Sequence, residues 1–305
     1  FFNANLQTMQ FTPQQLSGAQ RYNPHTRIGN WLEDVRLEET KVAEFREMKT
    51  SGQLAIGVRQ GKLNTCTAPA QTFSASDGFV SFGDTVVLVH CETRGSLSND
   101  LWEETCHSTD EYMVSVCPDP SPVARNTFKI VRVESGGYAS RKQYEDPDCL
   151  HYGESFKLEC SDLLVGDDNQ TSPHYLGSAS KTHSKASRIS NRQAVYMTQV
   201  TDSSIVWKVD KVADADVGST RLLSQHETVP SNVPLVLRHR ATNQALFCEP
   251  GCTESTEFGE EFEACCFNKT HAGKKECLVA ETQGLSTGAT ALRGELGGNV
   301  WVMAI

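Results

Sequence analysis

The amino-acid sequence predicts a mainly β protein that is preceded by one helix. After about residue 53 the helical periodicity fades, and short runs rich in Val, Ile and aromatic residues alternate with Gly, Pro, Asn and Asp. Pairs of these runs also recur three times along the chain, at intervals of about 70 to 80 residues, as in folds built from structural repeats. Both observations favour short strands joined by turns.

We predict an extended arm over residues 1–26, because this segment is rich in Gln, Asn and Pro and lacks a core of its own. Residues 27–53 are predicted to form a capped helix. Asn30 is a favourable N-cap residue, and Glu33 at the third helical position can reach back to the cap. Asp34 adds negative charge to the first turn, where the helix dipole favours it.

This helix is expected to run from Trp31 to about Thr50, because Lys49 lies in its final turn and Gly52 supplies a C-terminal stop. Apolar residues fall roughly on one stripe and acidic residues cover the rest of the surface, which predicts an amphipathic helix. The stripe consists of Leu32, Val35, Val42, Phe45 and Met48.

Residues 54–305 are predicted to form a β domain with three approximate repeats, at 78–135, 150–212 and 230–305. Each repeat opens with a similar run that starts at a turn: "SFGDTVVLVH" at 81–90, "HYGESFKLEC" at 151–160 and "PSNVPLVLRH" at 230–239. Each repeat closes with a second apolar run: "NTFKIVRV" at 126–133, "SSIVWKVD" at 203–210 and "GNVWVMAI" at 298–305.

The closing runs carry a bulky aromatic residue at a corresponding place, which is Phe128, Trp207 or Trp301. Three equivalent side chains at these places can meet in one core. Such a shared core predicts a β-trefoil, and a generic sandwich or barrel is the alternative. The intervals between the paired runs are predicted to be long loops, since loop-closure entropy rises slowly with length. These intervals are 91–125, 161–202 and 240–297.

Charge and hydropathy narrow the classes of partner. The formal net charge of −10 disfavours nucleic acid, because binding to phosphates needs clustered Lys and Arg. No apolar run approaches the length of a membrane-spanning helix, and residues 1–20 lack the basic and apolar regions of a signal peptide. We therefore expect a soluble intracellular protein with no nucleic-acid partner and no membrane partner.

Familiar catalytic motifs are missing from the sequence. It contains no P-loop, no GxSxG elbow, no HExxH pair and no GxGxxG turn that opens a helix after a strand. Cys106 and His107 are neighbours, but a nucleophile and its base meet through folding rather than through adjacency. The paired carboxylates at 146–148 and 167–168 are expected to be solvated in loops. We therefore expect no enzymatic activity and no cofactor.

Eleven cysteines are an odd number, so complete intramolecular pairing is impossible. Without a secretory signal we expect reduced, partly buried thiols. The one cluster, from Cys248 to Cys277, has no CxxC pair, so a zinc site there is disfavoured. His90, His174 and His239 are expected to be surface or satisfied core side chains rather than ligands.

Several segments together resemble one known family, that of cilia- and flagella-associated protein 161. They are "RIGNWLEDVRLEE", "GQLAI", "DGFVSFGDTVVLVH", "ARNTFKIVRV" and "LVLRHRATNQAL". The resemblance extends from about Tyr22 to the end of the chain and is most specific from Arg27 to Glu39. It is poor over residues 91–120 and over the segment from Cys248 to Cys277.

This resemblance implies a microtubule inner protein of ciliary and flagellar doublets, located in the axoneme within the lumen of the A-tubule. It implies a β-trefoil body similar to the MIR domain, and a structural role that stabilises the doublet for cilium motility without any reaction. The implied partners are the α/β-tubulin lattice and neighbouring microtubule inner proteins. We infer that the front element contacts such a partner through Arg27, Ile28, Asn30, Trp31, Glu33 and Asp34.

Two other functions are open at this point. A carbohydrate-binding module of the MIR or lectin-like trefoil type would present aromatic and polar residues in shallow pockets, and the glycosylation sequons at Asn169 and Asn268 would suit a secreted chain of this kind. A thiol or zinc enzyme would instead use the cluster from Cys248 to Cys277.

Overall fold

The computed structural model describes most of the chain. The described residues are 31–72, 78–105, 108, 110–133, 146–164, 172–212, 223–269, 282–283, 295 and 297–305. The chain divides into two compact units, Phe1–Gln60 and Gly61–Ile305, and the division falls within the second helix.

Helix α1 spans Trp31–Thr50, which are the bounds that the sequence predicts. Gly52 follows it in a left-handed conformation with φ of +73°, and the Gln53 amide donates to the Met48 carbonyl oxygen at 2.9 Å. This bond closes the C-terminus in a Schellman arrangement, in which an L side chain at position 52 would be strained. The predicted N-cap, Asn30, lies outside the described residues.

Helix α1 is only weakly amphipathic, so the predicted stripe is not a separate face. Charged residues recur so often along its sequence that they lie on every side of the helix. Five of its apolar side chains are each 40–58% exposed, whereas Val35 is half-buried. The exposed five are Leu32, Leu37, Val42, Phe45 and Met48.

Helix α2 spans Ala55–Cys66, where the sequence predicts the start of the β domain. The prediction misses this helix because two glycines and few charged residues obscure its periodicity. Its last residue, Cys66, is fully buried beside Ala124 and Leu164. Neither described helix is long and apolar enough to cross a membrane.

Twelve strands in the described residues make the body mainly β, as predicted. They are β1 Thr85–His90, β2 Ser96–Glu104, β3 Glu111–Cys117, β4 Thr127–Arg132, β5 Ser155–Cys160, β6 Tyr175–Ser178, β7 Gln193–Thr198, β8 Trp207–Lys211, β9 Pro234–His239, β10 Leu246–Thr256, β11 Gly259–Cys266 and β12 Trp301–Ala304. Each predicted opening and closing run coincides with one of these strands to within one residue at the strand's end or contains it fully.

The twelve strands are connected in one sheet, in which a ring and a layer of hairpins can be distinguished. Six strands close a ring of antiparallel neighbours in the order β1, β4, β5, β8, β9 and β12, with β12 paired back to β1. The other six form the hairpins β2–β3, β6–β7 and β10–β11. The second strands of these hairpins, β3, β7 and β11, also pair with one another and so join the three hairpins into one layer.

The register of the ring repeats three times. The aromatic residue of each closing strand is the direct partner of the residue that ends an opening strand: Trp301 of His90, Phe128 of Cys160 and Trp207 of His239. The three aromatic side chains are fully buried and belong to one hydrophobic core. This confirms the prediction that they contribute to a common core.

A left-handed turn also repeats ahead of the opening strands. Gly83, Gly153 and Asn232 have φ of +98°, +85° and +59°, and each lies two residues before the start of β1, β5 or β9. Glycine and asparagine are the residues that adopt this conformation most readily. The three turns therefore begin the repeats in the same way.

The intervals predicted as long loops each contain one of the hairpins, so that prediction is wrong. Strand β2 shows the reason: its buried positions include Ser96, Ser98 and Asn99, so it lacks an apolar pattern. The Ser96 hydroxyl donates to the carbonyl oxygen of Asp119 at 2.8 Å, which satisfies it inside the body. Buried polar residues with such partners are not visible to a search for apolar alternation.

Candidate partner-binding surfaces

The contact residues inferred from the sequence fall at the edge of the described region. Arg27, Ile28 and Asn30 lie outside it, and Trp31 is described only as the first residue of α1. Glu33 and Asp34 are exposed in the first turn, which agrees with an accessible acidic helix start. The inferred contact itself stays a prediction.

Helix α1 combines exposed apolar side chains with a dense mixture of charges. Its twenty residues include six acidic and four basic side chains, and Arg36 pairs with Glu39 at 2.9 Å on the exposed surface. Such exposed ion pairs contribute little stability, so the exposed apolar area is the stronger source of binding energy. This chemistry suits a protein partner.

A buried ion pair joins two distant segments of the body. The Arg125 guanidinium donates to both carboxylate oxygens of Glu261 at 2.6 and 3.0 Å, and both residues are almost fully buried. The Ser115 hydroxyl donates to the same carboxylate at 2.6 Å, and the Phe258 ring centroid lies 3.7 Å from the guanidinium carbon. This cluster fixes β11 against the residues that precede β4.

A second ion cluster holds the end of α2 against the body. Lys62 Nζ lies 2.7 Å from a carboxylate oxygen of Asp100 and 2.8 Å from one of Glu257. Because Lys62 and Asp100 are largely shielded from water, removal of either charge leaves the other uncompensated. The two ion clusters favour a body that keeps one conformation.

A small cavity of about 50 Å³ lies where β3, β7 and β11 meet. Each of these strands contributes two consecutive residues to it: Met113 and Val114, Ala194 and Val195, and Glu263 and Ala264. The rest of the lining is Glu104, Thr105, Ala186, Ser187, Arg188 and Glu254. We refer to this site as the axial cavity. Sequence reasoning missed it because its residues come from three intervals that were predicted to be loops.

Carboxylates outnumber cations around the axial cavity. Arg188 Nη1 forms an ion pair with Glu254 and lies 3.4 Å from Glu103 Oε1. Glu263 is buried and accepts a hydrogen bond of 2.7 Å from the backbone amide of Ile189. Burial raises the pKa of the Glu254 carboxyl above its ordinary value, and the nearby charges of Glu103 and Glu263 act in the same direction.

The cysteines in the described residues are all free. In the cluster that the sequence singled out, Cys248, Cys265 and Cys266 are buried and Cys252 is half-buried, while Cys277 lies outside the described residues. Burial raises the pKa of the Cys248 and Cys265 thiols to about 12. No group of three or more His, Cys, Asp or Glu side chains in the described part of the chain is arranged to hold a metal ion.

His90, His174 and His239 are buried, as predicted for core side chains, and His239 is hydrogen-bonded at both ring nitrogens. His90 Nε2 and His174 Nδ1, however, have no hydrogen-bond partner among the described residues. His90 Nδ1 lies 2.9 Å from the Thr93 hydroxyl, and His239 Nδ1 lies at the same distance from the Thr242 hydroxyl. His174 Nε2 lies 3.1 Å from an amide nitrogen. Burial lowers the pKa of all three imidazoles.

The remaining residues singled out by the sequence form no reaction centre in the described region. Asp146 and Asp148 are exposed, as predicted, whereas residues 106–107 and 167–169 lie outside the described residues. In the second sequon, Asn268 Nδ2 donates to the Asn243 carbonyl oxygen at 3.1 Å. Its Oδ1 accepts from the Ala245 amide at 2.8 Å. This asparagine is therefore engaged in holding the chain after β11.

The family model and the sequence relatives of this chain agree on one family. A family model described as a cilia- and flagella-associated protein 161-like domain matches residues 62–278. The cilia- and flagella-associated protein 161 of Bos taurus is 31% identical over 79% of this chain and 75% of that protein. The proteins of the same name from Danio rerio and Mus musculus are each 29% identical, over 79% of this chain and 80% of each protein.

Similar solved structures are more distant. An SDF2-like protein from Arabidopsis thaliana is 15% identical with a TM-score of 0.48, over 74% of this chain and 94% of that chain. A protein O-mannosyltransferase Pmt1-Pmt2 complex of S. cerevisiae bound to the sugar donor is 16% identical with a TM-score of 0.47, over 79% of this chain and 28% of that chain. These similarities are too weak to assign a function. The family model and the sequence relatives, in contrast, cover most of the chain, which belongs to the cilia- and flagella-associated protein 161-like family.

Proposed function

We propose that this chain is a structural microtubule inner protein of ciliary and flagellar doublets. It lies in the lumen of the A-tubule, binds the lumenal face of the tubulin lattice and neighbouring inner proteins, and stabilises the doublet for motility. The observation that carries the proposal is the family match over residues 62–278, together with relatives named for association with cilia and flagella.

The body acts as a β-trefoil of the MIR type in this proposal. The closed ring of six strands supports it, as do the three hairpins joined in one layer and the register that repeats three times. A rigid body with three similar faces offers several separate places for contact with neighbouring subunits. Such contacts recur along a repeating lattice, so weak individual contacts combine into strong retention.

Helix α1 provides the proposed tubulin contact next to the N-terminal arm. Its exposed Leu37 and Phe45 side chains are apolar area that a partner can cover. The N-terminal arm contacts tubulin in a groove between protofilaments in this proposal, where each segment in contact adds binding area. The net charge of −10 is compatible with this site, because lumenal binding does not depend on attraction to the acidic outer tails of tubulin.

The protein performs this role without catalysis. A thiol nucleophile reacts as the thiolate, and burial raises the pKa of Cys160, Cys248 and Cys265 to about 12, far above neutral pH. The buried histidines have lowered pKa values and contact hydroxyl or amide groups rather than these thiols. These properties favour packing roles for the residues that a thiol enzyme would use.

The test is the retention of α1 variants in axonemes. A tagged chain carrying Leu37→Gln and Phe45→Gln replaces two apolar side chains that are 53% and 52% exposed. Glutamine keeps a high helix propensity, so α1 is expected to form. We expect high-salt washing to release this variant, with a loss of about tenfold or more in binding, because the contact area that these side chains bury is lost.

A matched control separates contact from general polarity. Leu163 and Val200 are 52% and 50% exposed in the body, and their replacement by Gln is expected to leave retention unchanged. The native chain is expected to stay with the axoneme through the same wash. Its release by salt alone, or equal release of both double variants, would contradict the proposed contact.

A further inference from the structure

The axial cavity has the size of one small cationic group. A cavity needs about 10–15 Å³ for each water that it holds, so a volume of about 50 Å³ corresponds to roughly four waters. A guanidinium group also has four heavy atoms. Pockets for drug-sized ligands are several times larger, at roughly 300 Å³ or more. The cavity therefore suits a single side-chain head group rather than a whole small molecule.

The walls of the axial cavity match the stem of a long basic side chain. Four of its lining residues, Met113, Val114, Val195 and Ala264, are buried and apolar. Long basic side chains lay their methylene stems on such surfaces while the charged head finds polar partners. The cavity combines apolar and charged lining residues in this way.

The lining of the axial cavity carries more negative than positive charge. Glu104, Glu254 and Glu263 line the cavity, against the single guanidinium of Arg188. The Glu263 carboxylate also accepts hydrogen bonds from the backbone amides of Ile189 and Ser190. The hydroxyl oxygen of Thr105, also in the lining, is buried and has no hydrogen-bond partner among the described residues. A guanidinium has five N–H donors in one plane and can bind two carboxylates and a hydroxyl together.

We propose that the axial cavity binds an arginine side chain of a partner protein. The incoming guanidinium pairs with Glu254 and Glu263 and donates to Thr105, and the end of its stem contacts the apolar lining residues. In the free chain Arg188 balances part of the negative charge of these carboxylates. When the partner arginine binds, Arg188 moves to Glu103, whose carboxylate already lies 3.4 Å from Arg188 Nη1. Because the Arg188 side chain is 48% exposed, this movement takes place in solvent.

The proposal goes beyond the proposed function, since it concerns a site on the body and can be tested with the purified chain. Methionine methyl NMR is suited to it, because the chain has five methionines and Met113 lines the cavity. The probe is N-acetyl-arginine methylamide, and the neutral isostere N-acetyl-citrulline methylamide is its control. We expect the arginine probe to shift the Met113 methyl resonance saturably and to leave that of Met48 in α1 unchanged.

Two variants have opposite expected effects on the affinity for the arginine probe. Glu254→Gln removes one carboxylate and is expected to weaken binding about tenfold or more, because hydrogen bonds between charged groups are the strong ones. Arg188→Gln removes the competing guanidinium and is expected to strengthen binding severalfold. Glu249→Gln is the matched control on the same strand, since Glu249 pairs with Arg192 and Lys269 outside the cavity. It is expected to change nothing.

The opposite signs keep the test independent of general destabilisation, which would weaken binding in both variants. If Glu254→Gln failed to fold, the gain in affinity of Arg188→Gln would decide the matter. The proposal would be overturned by a Met113 resonance that does not respond to the arginine probe. An equal response to the citrulline compound, or weaker binding by Arg188→Gln, would also overturn it. Each of these results would leave the axonemal role untouched.

Discussion

Replacement of Arg125 by methionine is expected to lower the free energy of unfolding by about 3–5 kcal/mol, the range found when one partner of a buried ion pair is removed. Methionine keeps most of the side-chain stem but removes the guanidinium. The Glu261 carboxylate then stays in a buried place with the Ser115 hydroxyl as its remaining side-chain donor among the described residues. The change therefore leaves the buried charge of Glu261, 136 residues away in the sequence, without its cationic partner.

The magnitude follows from the contacts that are lost. Arg125 makes two hydrogen bonds to Glu261, and each hydrogen bond to a charged group contributes about 1.5–3 kcal/mol. Their sum overlaps the range for a broken buried pair. Whole domains are stable by only about 5–15 kcal/mol, so this single change removes about a fifth of the stability or more. The contact of the guanidinium with the Phe258 ring is lost as well.

Urea unfolding of the full chain, followed by tryptophan fluorescence, measures this effect, since Trp207 and Trp301 are buried in the body. The double variant Arg125→Met with Glu261→Met is expected to recover most of the lost stability, because no charge is left stranded. Arg36→Met is the control for an exposed ion pair and is expected to change stability by less than about 1 kcal/mol. A loss below about 1 kcal/mol for Arg125→Met, or a double variant as unstable as the single one, would refute the reasoning.

Two further predictions concern backbone conformation and pH. Gly83→Ala is expected to cost about 1–2 kcal/mol, because Gly83 has φ of +98° with open space around it. Gly61→Ala in α2 is expected to raise the stability by about 0.5–1 kcal/mol, because alanine favours a helix more than glycine does and there is open space at this position. Urea midpoints of the two variants that move in the same direction would contradict these two predictions. His90, His174 and His239 have pKa values lowered by burial, so the unfolded chain binds more protons below about pH 6.5. The thermal midpoint should fall as the pH is lowered from 7 to 5, and a flat profile would contradict this account of the histidines.

The opening and closing strands of the body could be predicted from the sequence because their apolar residues report burial directly. Phe128, Trp207 and Trp301 show this best, since each is fully buried at a corresponding place in the ring. Helix α1 was predictable for a different reason. A strong local stop signal at Gly52 and uninterrupted helix-forming residues fixed its end at Thr50.

The hairpins and helix α2 could not be predicted in the same way. Strand β2 buries polar residues, and some of their partners come from elsewhere in the chain, as Ser96 and Asp119 show. Helix α2 is held at its end by Lys62 and Cys66, whose contacts lie in distant segments. Local propensity carries no information about such contacts.

The axial cavity could not be predicted from the sequence for a related reason. Arg188, Glu254 and Glu263 come together only when the three hairpins pair with one another. Each of these residues alone resembles an ordinary surface charge in a loop. A sequence signal that could have identified them would have been the alignment of the three intervals as equivalent hairpins, which their different lengths concealed.

The most direct measurement for the proposed role is a pair of cryo-EM maps of intact doublet microtubules, one from cilia or flagella with this chain and one from cells that lack it. The proposed function predicts a difference density inside the A-tubule. That density should match the three-hairpin body and reach the lumenal face of tubulin through a helix at its N-terminal side. A difference confined to the outer surface, or identical lumenal density in the two maps, would contradict it.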